Sequence, residues 1–116
     1  MAAWATGRRG VLGAGLAGPR VILLVEDVTA YTQHAGWAKE LGAARIVRTR
    51  RAGRLTERRL LFPGGGELGV GIAEPSWASV VPVDPGTRRI VGDGFRVLYD
   101  PHGLLRSLVA AVRARP

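Results

Sequence analysis

Two hydrophobic patterns alternate along this chain, and together they predict a mixed α+β fold. Residues 20–26 (RVILLVE) form a continuous aliphatic run, which is typical of a central strand buried on both faces. Residues 67–73 (ELGVGIA) alternate aliphatic side chains with small or acidic ones, as a strand does. Residues 104–113 repeat their apolar side chains at helical spacing. We therefore predict an α+β domain with a mixed β-sheet and helices mainly on one face.

Weaker patterns place the remaining elements between these three. Residues 44–51 and 57–62 predict two strands of a hairpin, and Gly and Pro residues mark the turns. A helix is predicted over residues 28–41, with Asp27 or Thr29 as its N-cap. A second helix over 85–93 and a strand over 96–100 complete the prediction.

The sequence of the N-terminal segment predicts its structure only weakly. Residues 1–19 are rich in Gly and Ala and poor in core-forming side chains, which predicts a loop or a short helix. We divide the chain into this poorly specified glycine-rich segment, 1–19, and one folded domain, 20–116. Whether the segment is native or altered stays open.

Composition narrows the range of chemistry. The chain has 116 residues, which fits one domain, and contains no cysteine. Disulfides, cysteine-ligated zinc and a thiol nucleophile are therefore excluded. The aliphatic run is far too short to cross a bilayer, and the Arg8-Arg9 pair is followed by only a weakly apolar segment. We expect a cytoplasmic protein that does not bind membranes.

The charge points to an anionic partner. There are 17 Lys and Arg against 9 Asp and Glu, and Lys39 is the only lysine. Seven arginines lie between residues 45 and 59, where the two predicted hairpin strands would bring their side chains together. Guanidinium groups bind phosphate in planar, bidentate geometry. The alternatives are a nucleotide, nucleic acid or other polyanion as ligand, a protein partner, or a solvated edge hairpin whose charge discourages aggregation.

From Val21 onward the chain resembles small bacterial nucleotidyltransferase-like proteins of the DNA polymerase beta superfamily, related to aminoglycoside adenylyltransferases. The resemblance rests on the order and spacing of several stretches: VILLVED (21–27), IVRTRR (46–51), TERRLLFPGG (56–65), GIAEPSWA (71–78), VDPGTRRIVGDG (83–94) and RVLYDPHGLL (96–105). It implies a minimal nucleotidyltransferase-like domain. It also implies Mg²⁺ and a nucleoside triphosphate, held by a Gly-Ser turn, an Asp-x-Asp pair and a third carboxylate.

The chain departs from that pattern at each of these places. The stretch nearest to the Gly-Ser motif is residues 2–7, which lacks the Gly-Ser itself. Gly18 and Arg20 occupy the positions of the Asp-x-Asp pair, and Gly69 occupies that of the third carboxylate. Glu67 lies two residues from Gly69 and on the same predicted face, but about 6.6 Å along the strand. Of the two interpretations of Glu67, an exposed glutamate is stronger than a metal ligand.

These observations lead to two functional hypotheses. The first is a degenerate nucleotidyltransferase-family domain whose metal-dependent transfer is lost or impaired but which still binds nucleotide or a partner. No cofactor is expected, with Mg²⁺ and a nucleoside triphosphate required only if the family activity survives. Whether the chain is an enzyme stays open, and no catalytic residue is assigned. The second is a non-enzymatic protein that binds nucleic acid or a partner through the arginine-rich hairpin 45–59. In both, the substrate-binding candidates are Arg48, Arg50, Arg51 and Arg59.

Overall fold

A computed structural model describes residues 2–114 and contains one six-stranded mixed sheet. The strands are β1 Val11–Ala17, β2 Arg20–Val25, β3 Arg45–Ala52, β4 Leu55–Leu61, β5 Glu67–Ala73 and β6 Arg96–Tyr99. The helices are α1 Ala2–Thr6, α2 Val28–Thr32, α3 Gly36–Glu40, α4 Pro85–Gly92 and α5 Leu104–Arg113, with a 3-10 helix at Pro75–Ala78. The predicted α+β class is confirmed.

The sheet has the strand order β3-β4-β5-β2-β1-β6. Strands β2 and β5 are parallel, and every other neighbouring pair is antiparallel. The predicted hairpin between β3 and β4 is confirmed, and β5 has the predicted bounds. No helix within residues 2–114 has the length and apolar character needed to span a membrane.

Helices cover both faces of the sheet, so the prediction that they lie mainly on one face is wrong. On one face, Val21, Leu23 and Val25 of β2 pack with residues of α1, α2 and α3; we call this the α1 face. On the other, Ile22 and Leu24 pack with residues of the 3-10 helix, α4 and α5; we call this the α5 face. Because β2 is apolar on both sides, each face of the sheet needs its own covering layer.

The segment expected to be a loop or short helix contains a central strand. Residues 2–6 form the short helix α1, but Val11–Ala17 form β1, which pairs with both β2 and β6. The aromatic ring of Phe95 lies where a side chain on Gly15 would be, and Leu105 of α5 lies close to Gly13. These glycines therefore permit close packing on β1. Local sequence missed the strand because tertiary contacts stabilise it.

The predicted helix over residues 28–41 is two short helices, α2 and α3. Asp27 is the N-cap of α2, as predicted, and its Oδ1 accepts a hydrogen bond from the Ala30 amide at 3.4 Å. A side chain of the hairpin stabilises the connection between these helices. Arg58 Nη1 donates hydrogen bonds to the carbonyl oxygens of Tyr31 and His34, at 2.9 and 2.7 Å. The arginine-rich hairpin thus has a structural role on the α1 face.

Candidate functional site: an arginine-lined cleft at the start of β2

A cleft of about 300 Å³ opens on the α5 face, where β2 begins. We call it the arginine cleft; it is lined by Ala17, Pro19, Arg20, Arg50, Glu57, Arg59, Glu67 and Gly69. Its lining comes from strands β1, β2, β3, β4 and β5 and from the β1–β2 turn. Residues far apart in sequence therefore meet at one end of the sheet.

The register of the sheet aligns three arginines in one row. Arg48 pairs with Arg59, Arg59 pairs with Gly69, and Gly69 pairs with Arg20. Residues paired across neighbouring strands point to the same face. Because neighbouring strands lie about 4.8 Å apart, this row spans about 14 Å. The result is a line of guanidinium groups interrupted only at Gly69.

Glu57 is the buried acid of the cleft. Its side chain is 8% exposed, and its Oε2 accepts a hydrogen bond from Arg20 Nη1 at 2.6 Å. Arg50 Nη2 lies 3.6 Å from Glu57 Oε1. Burial tends to raise the pKa of Glu57, but the hydrogen bond from Arg20 and the charges of Arg20, Arg50 and Arg59 together lower it below its ordinary value. Glu57 is therefore an ionised anchor that holds Arg20 in place.

The second acid, Glu67, lies at the outer edge of the cleft. Its Oε1 is 3.7 Å from Arg59 Nη1, and both side chains are substantially exposed. An exposed pair at that distance contributes little to stability and is readily replaced by another anion. Arg48, in the neighbouring strand β3, is exposed, and its side chain has no ion pair or hydrogen bond among residues 2–114. Arg48 and Arg59 are therefore accessible to a ligand.

Gly69 forms part of the floor of the cleft, between Arg59 and Arg20. A Cβ atom at this position would lie 3.7 Å from Arg59 Nη2 and 4.0 Å from the Cβ of Arg20, both ordinary van der Waals distances. Its φ is also not in the left-handed region. A residue with a Cβ would therefore fit at position 69, and neither the backbone conformation nor the local packing requires glycine there.

The positions assigned by resemblance to the metal-binding carboxylates meet at this cleft. Arg20 and Gly69 are direct register partners on parallel strands, and Gly18 lies in the adjoining β1–β2 turn. These residues do not fit a divalent cation. They supply a guanidinium and two glycines where hard oxygen ligands are needed. Glu57 and Glu67, the acids that line the cleft, are both paired with arginine, and no cluster of three potential metal ligands occurs within residues 2–114.

The stretch nearest to the Gly-Ser motif does not reach the cleft. Residues 2–7 form α1 and the turn after it, and α1 packs against β1 and β6. β1 begins at Val11, which pairs with Val25 at the far end of β2. Val25 is about 16 Å along the strand from Arg20. This stretch therefore lies at the opposite end of the sheet, and the β1–β2 turn borders the cleft instead.

The structure separates the four arginines proposed as substrate-binding residues. Arg50 and Arg59 line the cleft, and Arg48 extends the same row. Arg51 instead pairs with Thr56 on the α1 face, where it lines a different depression and donates to the carbonyl oxygen of Gly53 at 2.9 Å. The period-two alternation of β3 explains the separation, since neighbouring residues point to opposite faces.

Sequence reasoning missed Glu57 as a site residue. A signal was present, because Glu57 is the only acid among the seven arginines of residues 45–59. A lone acid in such a segment is a natural ion-pair partner. Its burial and its pairing with Arg20, 37 residues away, depend on the tertiary fold.

A scan against protein-family models finds no match to this chain, and searches of curated proteins and of solved structures also find none.

Proposed function

We propose that this chain is a nucleotidyltransferase-family domain whose metal-dependent transfer has been lost, and that the arginine cleft binds the phosphate groups of a nucleotide or another polyanion. The observation that carries the proposal is the pairing of Arg20 with Gly69 on β2 and β5. These are the positions at which the resemblance places metal-binding carboxylates. A guanidinium there repels a metal ion and attracts a phosphate.

The chemistry of the lining favours phosphate over other parts of a nucleotide. Each guanidinium carries five N–H donors in a planar fork that matches phosphate oxygens. No residue lining the cleft within the described chain is aromatic, so the cleft offers no ring on which a base would stack. We therefore propose that the phosphates enter the cleft and the base stays outside it.

Loss of catalysis is tested by incubating the protein with Mg²⁺ and labelled ATP. We expect neither label incorporation nor pyrophosphate release above the background without protein. Mg²⁺-dependent incorporation that is abolished by Glu67→Gln would overturn the loss of activity, because Glu67 would then be serving as a metal ligand.

Binding is tested by isothermal titration calorimetry with ATP and with inorganic tripolyphosphate. Arg59→Ala should weaken binding of both probes about tenfold or more, since a hydrogen bond to a charged group contributes about 1.5–3 kcal/mol. The matched control is Arg51→Ala, which removes an arginine from the same hairpin on the α1 face and should leave binding unchanged. Equal losses in both variants would contradict the cleft as the binding site.

A second candidate function is nucleic-acid binding by the whole hairpin. The observation that favours it is the exposure of Arg45, Arg48, Arg50 and Arg51 along β3, which is an edge strand of the sheet. This arrangement presents cations on both faces of the hairpin, and binding to RNA or DNA would then fall steeply with salt.

The two candidate functions predict different effects of arginine substitutions on binding. Hairpin binding requires that Arg51→Ala and the double variant Arg48→Ala/Arg50→Ala both weaken binding of RNA and DNA. Exposed Arg113 on α5 provides a control outside the hairpin. Unchanged affinity and salt dependence in the double variant would exclude the hairpin as a nucleic-acid surface.

A further inference from the structure

The charges in the arginine cleft determine whether it favours a polyphosphate with or without bound Mg²⁺. Three arginines line it, Arg20, Arg50 and Arg59, and Arg48 extends their row. Its two acids, Glu57 and Glu67, are already paired with arginine. The cleft therefore offers several cationic donors, and its buried acid, Glu57, is not free to coordinate a cation.

The acid that is best placed to bind a metal is also the least accessible. Glu57 is buried, and its two carboxylate oxygens face Arg20 and Arg50. A cation bound there would have to displace Arg20 from a 2.6 Å hydrogen bond and lie among guanidinium groups. The charges of the surrounding arginines oppose both steps.

A polyphosphate with bound Mg²⁺ is a poorer ligand for such a site than the same polyphosphate without it. Mg²⁺ cancels two negative charges, occupies oxygens that would accept from guanidinium groups, and keeps several waters of its own. Each effect removes an interaction that the arginines would make.

We infer that the arginine cleft binds a di- or triphosphate group in its metal-free form, with Mg²⁺ acting as a competitor for the ligand. The arginines then supply the positive charge that a metal ion supplies in a metal-dependent site. This inference rests on the proposed function, because it requires that the cleft bind polyphosphate at all.

The experiment is calorimetric titration with ATP and with inorganic tripolyphosphate, first in EDTA and then at increasing Mg²⁺. NaCl is adjusted to hold ionic strength constant, since screening alone weakens ionic contacts. We expect the apparent Kd to rise in inverse proportion to the fraction of probe that remains free of Mg²⁺. The Kd calculated from the metal-free probe concentration should stay constant.

A matched pair of variants tests the location of the effect. Gly69→Asp introduces a carboxylate beside Arg20 and Arg59, whereas Gly69→Ala introduces a Cβ without charge, and the Cβ that the two variants share lies at ordinary contact distance from its neighbours. We expect Gly69→Asp to weaken metal-free tripolyphosphate binding about tenfold or more. Gly69→Ala measures the effect of the added Cβ alone and should weaken binding less than Gly69→Asp does. Equal binding by the two variants would place the ligand elsewhere and overturn both the cleft as the binding site and the inference.

The outcomes separate this inference from the function on which it rests. Binding that is unchanged or strengthened by Mg²⁺ overturns the inference and leaves polyphosphate binding intact. No binding of either probe, with or without Mg²⁺, overturns the proposed function and the inference together. A Kd that follows the metal-free probe, together with a larger loss in Gly69→Asp than in Gly69→Ala, supports both.

Discussion

Arg20 on β2 donates a 2.6 Å hydrogen bond to Glu57 on β4, although β5 lies between these two strands. The bond crosses β5 where Gly69 and Gly71 face the same side of the sheet. The space above Gly71 is filled by Ile22 and Leu55, whereas Gly69 lies beside Arg20 and Arg59, so the long arginine side chain reaches across the width of one strand to Glu57. A Cβ on Gly69 would still lie at ordinary contact distance from Arg59 and Arg20, so the ion pair depends on strand order and register and does not require glycine at that position.

This ion pair should make stability depend on pH. The pKa of Glu57 is lower in the folded protein than its ordinary value of about 4.3. Ionised Glu57 therefore stabilises the fold above about pH 4.3, and that contribution is lost as pH falls through the lower folded-state pKa. We expect Glu57→Gln to reduce the free energy of unfolding by about 1–3 kcal/mol at neutral pH. The deficit should shrink in acid.

Urea denaturation at neutral and acidic pH measures this deficit. Exposed Glu74, which has no ion pair among residues 2–114, provides the control variant Glu74→Gln. The control should match the unmodified protein at every pH. A Glu57→Gln deficit of constant size across the pH range would contradict a stabilising role of the ionised form.

Two glycines on the α5 face should respond in opposite ways to alanine. A Cβ on Gly15 would overlap the ring of Phe95, whereas a Cβ on Gly69 meets only ordinary contacts. We expect Gly15→Ala to destabilise the protein by about 1–3 kcal/mol, as overpacking does. Gly69→Ala should be neutral or stabilise it by up to about 1 kcal/mol, because glycine has excess conformational freedom in a strand. Chemical denaturation of both variants is the measurement, and a similar loss in both would refute the packing argument.

Asp100 should act as the cap of the C-terminal helix α5. Its Oδ1 and Oδ2 accept hydrogen bonds from the amides of Leu105 and Arg106, each at 3.0 Å. We expect Asp100→Ala to lower stability by about 0.5–2 kcal/mol. Thermal unfolding followed by circular dichroism measures the effect, with exposed Asp93→Ala as the control. Equal melting temperatures for the two variants would argue against this cap.

Arg8 should stabilise the packing of the N-terminal segment on the α1 face. Its guanidinium carbon lies 5.4 Å from the ring centroids of both Trp4 and Tyr31, and its Nε donates to Tyr31 Oη at 2.8 Å. Arg8 also pairs with Glu40. We expect Arg8→Met, which keeps an apolar stem, to destabilise the fold by about 1–2 kcal/mol.

Tryptophan fluorescence during denaturation measures the Arg8 effect. Arg9→Met removes a neighbouring exposed cation and serves as the control. The control should unfold at the same denaturant concentration as the unmodified protein. A shared loss would indicate a general effect of net charge instead of the contacts of Arg8.

The elements with a clear hydrophobic period were predictable, because the spacing of their apolar side chains indicates which face is buried. β5 alternates apolar and small residues, and α5 repeats its apolar side chains at helical spacing, so both were found with the predicted bounds. β1 was missed because Gly and Ala residues favour no strand locally. Its pairing with β2 and β6 and the packing of Phe95 on Gly15 stabilise it only in the folded protein.

For the candidate site, the sequence by itself determined an excess of arginine and the absence of carboxylates where the resemblance placed them. It did not determine which arginines act together. Only the tertiary structure brought Arg20, Arg59 and Glu57 to one cleft and turned Arg51 to the opposite face. The physical reason is that side-chain direction follows from strand alternation, whereas proximity across a sheet follows from register and strand order, which long-range pairing sets.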